Sequence, residues 1–170
     1  MRSASIYKKI LCFLAVAAVC AAPLFAAEKT EAVRIVIEKR ARLLIVYSGV
    51  VKLKEYKIAI GRGGTGRKLR KGDALTPEGK YRISGRNPQS KYHKALRVSY
   101  PNKEDEARAA ASGADPGGDI MIHGVKNGFG WLGPLHRLFD WTLGCVALTN
   151  GEIEELWELA PDGTEVEILP

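Results

Sequence analysis

The sequence predicts a mostly-β domain with two or three short helices. Short apolar runs alternate with polar residues at the two-residue period of a strand, as in "VRIVIEK", where Val33, Ile35 and Ile37 share one face. Gly-, Pro- and Ser-containing turns separate these runs. Nowhere do strands and long helices alternate in the βαβ rhythm of a parallel sheet.

Taken in order, "VRIVIEK", "RLLIVYSG" and "VVKLKEYKIAIG" read as three strands joined by short turns, hence an antiparallel meander. Val51 and Leu53 are out of phase with Tyr56, Ile58 and Ile60, which predicts a bulge near Lys54-Glu55. "GRGGTG" follows a strand like a phosphate loop, but it lacks the Gly-Lys-Ser/Thr ending and no helical pattern comes after it. "KYRIS" and "HKALRVSYP" are the next strands, the second stopped by Pro101. "EDEARAAA" is a helix candidate, and "DIMIHG" is a strand ending at a histidine. A short helix is expected from Pro134 to Phe139, since Pro suits a first helical turn. In "TNGEIEELWELAPDG", Thr149 and Glu152 have capping-box spacing, and Ile153, Leu156, Trp157 and Ala160 form one apolar stripe. Pro161 and Gly163 end that helix, and "TEVEIL" closes the chain as an alternating strand.

The chain has 170 residues, and its first 27 have the layout of a secretory signal. Arg2, Lys8 and Lys9 precede an apolar stretch from Ile10 to Val19, then small residues and Pro23. Cleavage is expected near Ala26 or Ala27, with residues 28–170 forming one domain in the periplasm or cell envelope. The alternative is an uncleaved membrane anchor over Ile10 to Ala27. Cys12 and Cys20 lie in the leader, so cleavage leaves Cys145 as a lone thiol: either a small buried hydrophobe or a reactive group. The formal net charge is +7, and much of the surplus lies in "GRGGTGRKLRKG", residues 61–72. That run reads as a solvated loop suited to an anionic surface. No nucleic-acid motif is present.

Two positions carry chemistry. His123 ends a strand, and Cys145 sits at a glycine-flanked corner in "TLGCVALTN". A thiol beside an imidazole is the minimum set for covalent acyl transfer, because the base generates the nucleophilic thiolate. Gly144 permits a tight turn that aims backbone amides at a developing oxyanion, and Gly124 clears space beside His123. His93 lies in a polar stretch and reads as surface, whereas His136 falls between His123 and Cys145 and is a candidate for the same cleft. A zinc site from His123, His136 and Cys145 lacks a fourth ligand, so neither a metal nor a cofactor is expected.

Together "GDALTPEGKYRIS", "DIMIHG" and "TLGCVALTN", in this order and spacing, resemble the L,D-transpeptidase catalytic domain, also called YkuD-type. The resemblance spans about Val33 to Leu169. It implies a β-sandwich or barrel in which cysteine and histidine face one cleft. It also implies thiolate attack on a peptidoglycan stem peptide after a diaminopimelate-type residue, with loss of D-Ala and transfer of the acyl group to an amine. Carried over by position, Cys145 is the nucleophile and His123 the base. The Gly124 carbonyl orients His123, the Gly144 and Cys145 amides form part of the oxyanion hole, and Thr142 and Asn150 shape the site. The family motif has a His before the Gly-Cys pair and an Arg two residues after the Cys; here these are Leu143 and Ala147. That departure bears on specificity. It is similar to a branch whose members include hydrolases of peptidoglycan links, which makes a carboxypeptidase, or an amidase acting on a wall-linked protein, the alternative. A non-catalytic wall-binding module is the reading from outside enzymology.

Overall fold

The computed structural model describes residues 34–170; the expected leader and its cleavage site lie outside the described residues. Eight strands form one mixed sheet. Strands β1 (Arg34–Glu38), β2 (Leu43–Ser48) and β3 (Val51–Lys57) make the antiparallel meander. Its bulge falls beside the expected place: Val46 pairs with Lys54 and Tyr47 with Lys52, leaving Leu53 as the extra residue. Strands β4 (Gly79–Ser90) and β5 (His93–Val98) form a long hairpin, followed by β6 (Met121–His123), β7 (Val146–Ala147) and β8 (Glu165–Leu169). The order is β3-β2-β1-β8-β4-β5-β6-β7.

Two pairings are parallel, β1 with β8 and β6 with β7. The sheet also closes on itself. Beyond β3, Ala59 exchanges both backbone hydrogen bonds with Ala147, and Gly61 bridges Thr142. Closure satisfies the edges that an open sheet would leave unpaired. Ile35, Ile37, Leu44, Ile58, Ile60, Leu96, Ile122 and Leu148 are fully buried inside the curve.

Strand β4 runs well past the expected "KYRIS". Its first third pairs with β8 through Arg82, and the rest pairs only with β5, so one side becomes an edge that tolerates Pro88. Helix α1 (Lys103–Ala111) is capped by Asn102, which accepts from the amides of Glu104 and Asp105. Helix α2 (Asn150–Leu159) has the Thr149/Glu152 capping box, and Ile153, Leu156 and Ala160 are fully buried against the sheet. The helix expected over 134–139 is replaced by a 3-10 segment, Gly130–Arg137, broken where Gly133 adopts φ 48°. Pro134 brings no N–H to continue a hydrogen-bonded ladder across that break.

The basic loop is tied down more than its composition suggested. Lys39 is fully buried, with Nζ donating to Glu78 Oε1 (2.8 Å), Gly66 O (2.6 Å) and Thr76 O (2.9 Å). Lys68 is buried on Asp73 (2.7 Å).

Candidate active site

The β6–β7 pairing brings the two chemical groups together. His123 lies opposite Ala147, so Cys145 is two residues before the partner of His123 on an adjacent parallel strand. That offset is roughly 7 Å along the strand and about 5 Å across it, within reach of an imidazole. Both side chains line one cleft of about 590 Å³.

His123 is held on every side. Its Nδ1–H donates to Gly124 O at 2.7 Å, which fixes the tautomer and leaves Nε2 as a lone-pair acceptor. Tyr92 stacks on the ring at 4.5 Å between centroids, and Trp141 meets it edge-on at 5.8 Å. Gly124 is needed for the fit, since a Cβ there would come within 2.8 Å of Asn150 Oδ1. Asn150 uses that oxygen to accept from Val125 N at 2.9 Å, fastening the first turn of α2 to the loop behind His123. It therefore acts on the site through the backbone and does not line the cleft.

The corner that carries Cys145 is built by Thr142. Its hydroxyl donates to Cys145 O (2.6 Å) and accepts from Gly144 N (3.2 Å). The Gly144 amide, one of two expected at the oxyanion, thus turns toward Thr142. Gly144 has φ 128°, and a Cβ would lie 2.8 Å from Leu75 O, so only glycine fits both conformation and space. The thiol sits 3.5 Å from the Asp119 carbonyl. Asp119 itself has φ 56°, and its carboxylate is held by Arg97.

Burial sets the resting charges. Desolvation pushes the Cys145 thiol above its ordinary range, against a backbone hydrogen bond from Met121 that favours the thiolate. Desolvation also pulls His123 below its ordinary value, outweighing the Gly124 contact. Both effects disfavour charge, so the pair rests as thiol and neutral imidazole.

Leu143 is exposed on the cleft, whereas Ala147 is fully buried in the ladder with Ala59 and does not line it. His136 does not line it either. It is buried on the far side of Trp141, whose Nε1–H donates to His136 Nδ1 at 3.4 Å. Proximity in sequence misleads here because the kinked 3-10 segment swings His136 behind the aromatic wall. His93 pairs with Glu154 (2.7 Å), away from the cleft. Among the described residues no cluster of three His, Cys, Asp or Glu is placed to hold a metal ion. Tyr92 and Trp141 were not read as site residues from sequence. Trp141 stands directly before "TLGC", a usable signal, but nothing in "SKYHK" marks Tyr92.

Comparison with known proteins adds an independent line. YafK of Escherichia coli (strain K12) is 33% identical over 108 residues, covering 62% of this chain and 36% of YafK. The crystal structure of the helical cell shape determining protein Pgp2 from Campylobacter jejuni superposes with a TM-score of 0.62 at 29% identity, covering 82% of this chain and 48% of Pgp2. An L,D-transpeptidase from Xylanimonas cellulosilytica shares the fold at a TM-score of 0.56 and 16% identity, over 82% of this chain and 61% of that one. The chain thus spans about a third of YafK and half of Pgp2. The model of the L,D-transpeptidase catalytic domain (YkuD) matches residues 32–168, from just before β1 to the last strand, and on that match this chain belongs to the L,D-transpeptidase (YkuD) family.

Proposed function

We propose that this domain is a cysteine acyltransferase that acts on peptidoglycan stem peptides through a thioester. The observation that carries this reading is the His123 tautomer: Nδ1–H is committed to Gly124 O, so Nε2 is free to take the Cys145 proton in a shared cleft. Nε2 accepts the S–H proton as sulfur attacks the carbonyl after the diaminopimelate-type residue. The tetrahedral oxyanion is stabilised by backbone amide at the Cys145 corner. Collapse breaks the C–N bond, and the D-Ala amine leaves with the proton from His123. An amine of a second stem then gives a proton to Nε2 and attacks the thioester, and the proton returns to sulfur.

Water in place of the amine gives the hydrolase, acting on stems or on a wall-linked protein. Leu143, an apolar side chain on the cleft where the family has a histidine, is the feature that favours this second outcome. The reading carries with it export of residues 28–170 after removal of the leader.

Mass spectrometry of products from a diaminopimelate-containing disaccharide-tetrapeptide, with Cys145→Ala alongside, tests the proposal. Cross-linked dimers mark the transferase, and shortened monomers alone mark the hydrolase. Identical products from Cys145→Ala would overturn both.

A further inference from the structure

Ten large hydrophobic side chains are exposed among the described residues, and five of them fall between 129 and 139. Trp131 and Leu138 are each 77% exposed and Phe139 is 69% exposed. Such a concentration on a small soluble domain marks a contact surface. Two depressions lie side by side there. One, of about 480 Å³, is lined by Arg40, Arg42, Lys57 and Arg137 together with Leu138 and Phe139. The other, of about 230 Å³, is lined by Phe129, Leu132, Phe139, Trp141 and the stem of Lys126. Phe139 belongs to both, so the basic and the apolar depressions share a wall.

Charge decides the occupant. Arg42 is neutralised by Asp140, and Arg137 by Glu152. Arg40 and Lys57 are exposed and form no ion pair among the described residues. A second copy of this chain in a two-fold contact would bring the same unpaired cations against themselves. We propose that this face docks the domain on a lipid bilayer carrying anionic headgroups. Phosphates meet Arg40 and Lys57, while Phe129, Trp131, Leu138 and Phe139 enter the boundary between headgroups and acyl chains. Trp at the rim and cations around an apolar face are the chemistry of a surface-lying membrane contact. The catalytic cleft lies on the other side of Trp141, so docking leaves it open.

The test uses the full chain with vesicles of phosphatidylglycerol mixed with acyl-brominated phosphatidylcholine, against brominated phosphatidylcholine alone. The three tryptophans are Trp131, Trp141 and Trp157, and the apolar leader has none, so quenching reads the folded domain. Quenching is expected in the anionic vesicles and is expected to be lost in Trp131→Phe. Arg40→Gln with Lys57→Gln should raise the lipid needed for half-quenching ~25-fold, about fivefold for each cation. Neither substitution touches the cleft. Equal quenching by the zwitterionic vesicles, or quenching unchanged in Trp131→Phe, overturns the proposal. So does a lipid-free dimer that dissolves in Leu138→Ser, since the face would then belong to a second copy.

Discussion

Cys145 and His123 line one cleft as neutral groups, and this shapes what substitution should do. Cys145→Ala is expected to abolish turnover while leaving the melting temperature nearly unchanged, because one small side chain replaces another at a half-buried corner. His123→Ala should slow acylation by roughly 10²–10⁴, the usual worth of general-base help. His136→Ala should slow it far less, measured in the same assay, because Trp141 stands between His136 and the cleft. His136 matters to stability instead. Burial, with Arg137 beside it, holds its pKa down to about 4. A base whose folded pKa is depressed contributes stability above its unfolded value of about 6.5, and that contribution fades as pH falls toward the folded value. Urea unfolding at pH 7 and pH 4.5 should therefore show a smaller acid loss in His136→Gln, by on the order of 2–3 kcal/mol. Gln keeps an acceptor for Trp141 and does not titrate; an unchanged acid loss would remove His136 from the account. That Cys145 and His123 would share one cleft was legible in sequence because each stands beside a glycine in an ordered motif. The stack of Tyr92 on His123 was not, since it depends on the β4–β5 hairpin folding back over β6.

At the scale of elements, α2 and the loop behind His123 are coupled through two small devices. Thr149 caps α2, and the next residue, Asn150, holds Val125 behind His123. Thr149→Ala should lower unfolding free energy by about 1 kcal/mol. Its capping box and apolar stripe could be read directly from residues 149–160, because both are local. The length of β4 could not. "GRNPQS" has the composition of a turn and becomes strand only because β5 lies beside it. The expected helix after Pro134 failed for a local reason that residue type alone does not reveal, the positive φ of Gly133. Buried Lys39 was equally invisible, for its partners are far along the chain. Glu78→Ala should cost about 3–5 kcal/mol in chemical unfolding, because it strands a buried ammonium.

For the molecule as a whole, the mixed sheet departs from a simple meander at its long-range seams. The β1–β8 and β6–β7 pairings are parallel and join distant segments, for which short-range pattern carries no signal. The same closure leaves no room at position 147 for the Arg that the resemblance in sequence led one to expect there. Ala147 is fully buried and paired with Ala59, so Ala147→Arg would force a guanidinium into the seam. Loss of soluble, folded protein is expected, whereas Leu143→His, at an exposed cleft position, should leave the circular dichroism melt unchanged.

The Ala59–Ala147 seam also has a temporal meaning. It joins residues 88 positions apart, and contacts between such distant residues form late, because chain entropy must be lost before they stabilise anything. Cys145 lies two residues before that seam, so hydrophobic collapse can precede assembly of the cleft. During refolding, recovery of the proposed turnover should lag recovery of tryptophan fluorescence, because a half-folded chain would hold Cys145 away from His123.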